Sequence, residues 1–269
     1  MQCKNATPSP RLPVSAFLIT LDEAERLPRA IASLDFCDEI VVVDSGSRDG
    51  TQEIARAAGA RVVHRDWEGY GPQKAHAERL CRNDWVLNID ADEWVTPQLA
   101  AELKTLFAEN APPPAAYRLP ILTVYPGDER PRPFADDYRV VRFYHRAIGR
   151  YRAHPVFDRV EVVGRARPLR GPLWHAPVLD WAHFVAKENR YTSFQAVAAR
   201  RDRRWLRLRL VVEFPLAFLK FYFLRRHVFG GSKGFAFAMI AAFGRWLRIA
   251  KLLSATSEPP SQSGAAKRA

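Results

Sequence analysis

The chain has 269 residues, 48% of them hydrophobic and 26% charged, and carries a formal net charge of +12. That apolar content in a chain this long can bury a full core, which excludes a disordered polypeptide and fits one large domain or a domain with an appendage. Cys3, Cys37 and Cys81 fall in no Cys-x-x-Cys or Cys/His spacing, so neither a disulfide framework nor a zinc site is indicated and a reducing, cytosolic setting is expected.

Residues 1–12 contain no apolar signal core and are expected to be a disordered leader. Residues 14–20, Val-Ser-Ala-Phe-Leu-Ile-Thr, predict a buried first strand, with Asp22 and Glu23 just beyond it. Leu27, Ile31 and Leu34 then recur at helical spacing. The β-branched run at residues 39–44 predicts a doubly buried parallel strand that ends in Asp44. Ser45-Gly-Ser-Arg-Asp-Gly-Thr51 is turn chemistry feeding a helix, with Asp49 as its N-cap and Gly59 as its stop. After a short third strand at residues 60–63, Gly69-Tyr-Gly-Pro72 leads into a helix with Pro72 at its first position, carrying Gln73, Lys74 and His76.

Residues 84–93, Asp-Trp-Val-Leu-Asn-Ile-Asp-Ala-Asp-Glu, are an apolar run that stops in three carboxylates. The two-residue period of a strand sends Asp90 and Asp92 to one side at its end. Carboxylates so placed repel unless a positive group lies between them, and a divalent cation carrying phosphates is the usual solution. The alternative is a solvated acidic turn. Thr96-Pro97 caps a further helix whose Leu99, Leu103, Leu106 and Phe107 form one stripe. Strand and helix alternate throughout, which predicts an α/β fold on a parallel sheet. Ligands of such sheets bind beyond the carboxyl ends of the strands, where Asp22, Glu23, Asp44, Asp90 and Asp92 fall.

Ala111-Pro-Pro-Pro-Ala-Ala116 is a stiff linker that marks a boundary after residues 13–110. Residues 117–125, 138–145 and 159–163 predict strands of a smaller mixed or antiparallel half covering residues 117–199. Trp174-His-Ala-Pro177 follows a turn, and Asp180 caps a helix with Trp181, Phe184, Val185, Tyr191, Phe194 and Ala198 on its apolar side. Residues 200–253 hold thirteen Arg/Lys against Asp202 and Glu213, nearly the whole net charge, interleaved with large apolar side chains. Their apolar runs fall short of the about 20 residues a spanning helix needs, and Pro215 interrupts the first. Such helices are expected to lie in the headgroup region of an anionic membrane; the alternative is a pair of core helices. Residues 254–269 are expected to be a disordered tail.

Three motifs, Asp44-Ser-Gly-Ser-Arg-Asp-Gly-Thr51, Gly71-Pro-Gln-Lys74 and Trp85-Val-Leu-Asn-Ile-Asp-Ala-Asp-Glu93, resemble those of the family-2 glycosyltransferases. Within them the likeness is to the beta-glucosyltransferase branch of lipopolysaccharide core biosynthesis. A weaker match runs through Arg142-Phe-Tyr-His145, His175 and Lys187-Glu-Asn-Arg-Tyr191. The resemblance implies a GT-A fold: a parallel-centred, nucleotide-sugar-binding sheet with helices on both faces, a mixed acceptor half and an amphipathic helical tail. It also implies that Asp22, Glu23, Asp44, Ser45, Lys74 and Asp90 line the donor site, with Asp44 on the nucleotide. Asp90 and Asp92 would hold Mg²⁺ or Mn²⁺ against the diphosphate, and His175 would complete metal or phosphate contacts. Asp22-Glu23 stands where the family usually has Asn-Glu.

An inverting transfer needs a carboxylate base near the acceptor hydroxyl. Phe157-Asp158 aligns with a His-Glu pair of the branch, so Asp158 is the candidate, with Glu161, Asp136 and Asp137 still open. The implied partners are a nucleotide-sugar donor (a UDP-sugar foremost), a lipid-linked saccharide acceptor and an anionic membrane surface at the cytoplasmic face, with no nucleic acid. The rival functions are a polyprenyl-phosphate glycosyltransferase, a nucleotidyltransferase, a nucleic-acid-binding protein using the Arg-rich segment, and a catalytically dead adaptor. No Gly-rich phosphate loop follows residues 14–20, which counts against the nucleotidyltransferase.

Overall fold

A computed structural model describes residues 11–152, 159–197 and 203–254. They fall into two compact units: the chain up to Val124 with Asp137–Pro177, and Tyr125–Asp136 with the chain from Val178 onward.

The first unit is built on β1 (Leu12–Thr20), β2 (Cys37–Asp44), β3 (Arg61–His64) and β4 (Trp85–Asn88), parallel and in the order β3-β2-β1-β4. The apolar runs are continuous because both faces of these strands are covered. Val14, Ala16 and Leu18 of β1 enter one cluster with Leu27 and Ile31 of α1 (Leu27–Ala32) and Leu99 and Leu103 of α4 (Pro97–Leu106). Phe17, between them, faces Ala75 and Ala77 of α3 (Tyr70–Leu80) in the other cluster. The predicted α/β architecture, parallel at its centre with helices on both faces, is therefore present.

Beyond β4 the sheet becomes mixed. β7 (Asp137–His145) runs antiparallel to β4 and to β6 (Ala116–Thr123), then β11 (Leu173–His175) joins β6, and β5 (Glu93–Val95) closes the edge against β11. Short β10 (Arg167–Pro168) also pairs with β6, and β8 (Gly149–Tyr151) with β9 (Val160–Val162) forms a separate hairpin. The proline stretch marked as a boundary lies inside this unit, because proline interrupts regular structure locally without preventing the next strand, β6, from joining the same sheet.

Thr96 caps α4 as expected, its hydroxyl accepting from Leu99 N at 3.2 Å with Pro97 following. Two other helix starts are shifted. Gly50, at φ 91°, takes the N-cap of α2 (Thr51–Ala57), while Asp49 accepts from Thr51 N at 3.0 Å and from Ala24 N at 2.9 Å. The third helix begins at Tyr70, so Pro72 is its third residue, still within the first turn whose N–H groups have no intrahelical acceptor.

The second unit comprises α5 (Trp181–Val197), α6 (Arg203–Leu219) and α7 (Gly231–Ser254), with a π-helical turn at Lys220–Leu224 and a 3-10 turn at His227–Gly230 between the last two. Asp180 caps α5 by accepting from His183 N at 2.6 Å. At Gly244 a Cβ would stand 2.0 Å from Glu188 Oε2, so the Glu188 side chain of α5 fills the space over this glycine of α7. Tyr125 donates to Nδ1 of buried His227 at 2.6 Å, and the imidazole stacks on Phe237 with centroids 4.6 Å apart. Among the described residues, no helix is long and apolar enough to cross a membrane.

Candidate active site

β1 has β2 on one side and β4 on the other, all three parallel, so the strand order reverses at β1, and in such sheets ligands bind beyond the strands' carboxyl ends at that point. Asp44, at the end of β2, is fully buried. Its Oδ1 accepts from Gly46 N at 3.0 Å, Ser47 N at 2.9 Å and Gln52 Nε2 at 2.7 Å. Its Oδ2 accepts from Thr20 Oγ1 at 2.9 Å and from the Ser47 hydroxyl. Burial alone would raise its pKa; the bonds from Ser47, Thr20 and Gly46 outweigh it and hold the carboxyl below its ordinary value. Asp44 is therefore occupied in shaping the loop that carries Ser45, whose hydroxyl accepts from Gln73 Nε2 at 2.9 Å.

The same loop is tied to the end of β1. Asp22, at φ 54°, donates its N–H to Ser47 Oγ at 2.8 Å and accepts from Arg48 N at 2.8 Å. Glu23 donates its N–H to Thr51 Oγ1 at 2.8 Å, and its carboxylate takes a two-pronged contact from Arg26, both prongs 2.7 Å long. Left-handed backbone at a non-glycine residue is strained and persists where surrounding bonds hold it, as these two do.

At the end of β4 the carboxylates meet cations supplied by the protein. Asp90 Oδ1 lies 2.8 Å from Lys74 Nζ and Oδ2 lies 2.8 Å from Arg142 Nη2. Arg142 also reaches Glu93 Oε1 at 3.1 Å and Asn88 Oδ1, to which Tyr151 donates at 2.7 Å. Burial would raise the pKa of Asp90, but Arg142 and Lys74 outweigh it and hold the carboxyl well below the carboxylate range. Burial holds neighbouring Glu93 above its ordinary value despite Arg142. Both oxygens of Asp90 are thus engaged with cations.

Asp92 lies in the turn after β4 and faces a different set of groups. His175 Nε2 stands 3.3 Å from its Oδ2, and Arg26 Nη1 stands 3.6 Å from the same oxygen. The antiparallel β5–β11 register sets His175 opposite Glu93, one residue along. Burial opposes the charged form of both partners; their mutual hydrogen bond and charge prevail, lowering the pKa of Asp92 and raising that of His175. The side chains stay partly accessible, 15% for Asp92, 21% for His175 and 32% for Asp90, so a ligand can reach all three.

Among the described residues no cluster of three or more His, Cys, Asp and Glu is set to hold a metal. Asp92 and His175 nevertheless fit a cation that arrives on phosphates. Mg²⁺ takes one or two protein ligands and keeps water or substrate oxygens elsewhere, and neighbouring ligands about 2.1 Å from an octahedral ion stand about 3 Å apart. Asp92 Oδ2 and His175 Nε2 stand 3.3 Å apart, about that spacing, but in a hydrogen bond, so a cation held by both would replace the proton they share. Arg26 Nη1, buried and without a hydrogen-bond acceptor among the described residues, lies beside them as a spare donor.

Glu161 is exposed and paired with Arg152 at 3.0 Å, and Asp137 with Arg139 at 2.9 Å. Asp136 belongs to the second unit, gripped by Arg132 at 2.5 Å and Arg225 at 2.8 Å. Asp158 lies outside the described residues, as does Ala198. Sequence reasoning had assigned no role to Arg26, Glu93 or Arg142. The signals for Arg142 are its place in the weaker match Arg142-Phe-Tyr-His145 and a cation standing inside the apolar run Val140, Val141, Phe143, Tyr144.

A model of glycosyl transferase family 2 matches residues 15–162, which take in every strand-end carboxylate above but not His175. Over 251 residues the chain is 38% identical to an uncharacterized glycosyltransferase of Rickettsia prowazekii, covering 89% of this chain and 86% of that one. It is 34% identical over 261 residues to a lipopolysaccharide core biosynthesis glycosyltransferase of Rhizobium meliloti, covering 90% and 93%. A solved glucosyl-3-phosphoglycerate synthase from Mycobacterium tuberculosis overlaps at TM-score 0.32 and 26% identity, over 42% of this chain and 44% of that one, too slight an overlap to carry an argument.

Proposed function

The chain belongs to glycosyl transferase family 2, and from that premise we propose that it moves a sugar from a nucleotide-diphosphate donor, a UDP-sugar foremost, to a lipid-linked saccharide. The setting we propose is lipopolysaccharide core assembly, supported by the Rhizobium meliloti relative that matches over nine-tenths of both chains. The observation that carries the reading is the accessible Asp92–His175 pair beside carboxylates already neutralised by Lys74 and Arg142.

A diphosphate entering this crevice would be repelled by Asp90, Asp92 and Glu93 were they uncompensated. Lys74 and Arg142 cancel Asp90 and Glu93, and Arg26 offers its spare donor next to Asp92. Asp92 and His175 would hold Mg²⁺ or Mn²⁺, which as a Lewis acid supplies charge stabilisation for the departing nucleotide diphosphate. Asp44 keeps the loop of Ser45 in shape to wall the nucleotide, and Asp22 and Glu23 lock that loop to β1. In the inverting displacement the acceptor oxygen attacks the anomeric carbon from the face opposite the diphosphate. The bond from that carbon to the diphosphate breaks, and a carboxylate takes the hydroxyl proton. We assign that carboxylate to Asp158. The enzyme would work as a peripheral protein at the cytoplasmic face of the membrane, with residues 200–253 against anionic lipid.

A screen of UDP-, GDP- and ADP-sugars with Mg²⁺ or Mn²⁺ tests the reading. Asp92→Asn should lower turnover by more than about 100-fold, beyond what loss of a mere supporting contact costs, and should weaken Mn²⁺-dependent UDP binding measured by calorimetry. Turnover that needs no metal, or an undiminished variant, would overturn the metal assignment. Asp158→Asn should lose transfer while keeping donor affinity; retained transfer would move the base elsewhere.

A further inference from the structure

The sixth helix turns its apolar side outward. Leu208, Val211, Val212, Leu216 and Leu219 are between 38% and 76% exposed. At about 100° per residue they fall within an arc of about 140°, one continuous stripe. Phe223, in the π-helical turn that follows, is also exposed and extends the helix's run of large apolar side chains. The opposite side of the helix buries Leu206 and Ala217, and with them a charge: Glu213, held by Arg209 and by Arg245 of α7 at 2.8 Å. An amphipathic helix packed on a globular core shows the reverse arrangement, and a soluble monomer rarely exposes so large a contiguous apolar face.

The charges around the stripe identify what covers it. Arg207, Lys220 and Arg226 are exposed near it, and within residues 203–226 the single acidic residue is Glu213, which faces inward. The outward surface of this segment is thus aliphatic and aromatic with a cationic rim. A second copy of the chain would bring two such rims together with no carboxylate from the segment to pair them. An anionic bilayer offers acyl chains to the stripe and phosphates to the rim at the same depth. We propose that this face of α6 is the surface by which the protein docks on an anionic phospholipid bilayer, the helix lying in the headgroup plane with its aliphatic stripe toward the acyl chains. The assignment rests on the peripheral placement proposed above and narrows it to one helix face.

The test is co-sedimentation of the full chain with phosphatidylcholine vesicles with and without phosphatidylglycerol, alongside UDP binding in solution. The wild type should bind only the anionic vesicles, and less tightly as salt is raised. Val211→Asp with Leu216→Asp should weaken that binding at least about ten-fold while UDP affinity stays unchanged. Both positions are solvent-exposed, and a matched thermal melt would verify folding. Arg207→Glu with Lys220→Glu, which leaves the stripe intact, should produce a comparable loss. If the wild type ignores anionic vesicles, the membrane reading and this face fall together. If it binds and both double variants bind undiminished, this face is wrong and the membrane reading stands. Self-association in sedimentation velocity that Val211→Asp with Leu216→Asp abolishes, without vesicle binding by the wild type, would overturn the proposal in favour of a second copy.

Discussion

Asp90 and Glu213 meet one problem in two units. Each is a carboxylate gripped by two cations, Asp90 by Lys74 and Arg142, Glu213 by Arg209 and Arg245. The difference lies in the cations. The Lys74 and Arg142 side chains are 1% and 9% exposed, so neither can be rehydrated if its carboxylate is lost. Arg245 is 40% exposed and can turn to water. The first arrangement is a rigid charged floor beneath the proposed donor site, made of groups that cannot relax. The second is a staple between two helices that leaves the aliphatic side of α6 free to face outward.

Removing one partner from each tests that contrast, and the largest effect belongs to the floor. Arg142→Met leaves Asp90 with one cation and Glu93 without its guanidinium, so unfolding in urea should show a loss of about 3–5 kcal/mol. A loss near zero would mean those charges are already hydrated. Arg142→Lys should recover only part, since an ammonium cannot reproduce the fork that reaches Asn88, Asp90 and Glu93 together.

His227 in the second unit should come next. Burial, with Arg132 and Arg225 nearby, lowers its pKa to about 4 from an ordinary 6.5, against the opposing charge of Asp136. The folded state therefore favours the neutral ring that accepts from Tyr125. The contribution is fully present above pH 6.5, and falls as pH drops toward 4 because the unfolded chain takes a proton that the folded one refuses. Two and a half pH units correspond to about 3 kcal/mol. Urea midpoints measured at pH 7 and pH 4.5 should differ less in His227→Gln; an equal fall in both would assign the acid sensitivity to other groups.

Glu213→Gln should cost less, about 1 kcal/mol, because Arg245 can turn to water and the amide oxygen still accepts from Arg209. A loss as large as that of Arg142→Met would erase the distinction between floor and staple. A control of similar size, away from any charge, calibrates the others. Thr96→Ala removes one helix cap and should lower the thermal midpoint by the equivalent of about 1 kcal/mol, leaving donor turnover unaltered.

The parts of the site legible in the sequence were those announced by local pattern. Asp44 and Asp90 terminate apolar runs, and Thr96-Pro97 and Asp180 mark helix starts by their own chemistry. Even there, local reading set the start of α2 one residue early, because Asp49 reaches across to Ala24 as well as capping its own turn. It expected a positive ion between Asp90 and Asp92, yet the cations on Asp90 are side chains. Lys74 and Arg142 come from segments 16 and 52 residues away along the chain.

By itself the sequence determined the alternation of strands and helices, the doubly covered parallel strands and the carboxylates at their ends. Periodicity, capping and strand termination each depend on residues a few positions apart. Only the tertiary structure decided that Asp92 faces His175 rather than Lys74, since that follows from the register of β5 against β11, some eighty residues apart. Only the tertiary structure decided which way α6 is turned. The helix carries apolar residues on more than one side, and the burial of Glu213 between Arg209 and Arg245 selects the rotation that leaves Val211 and Leu216 outside.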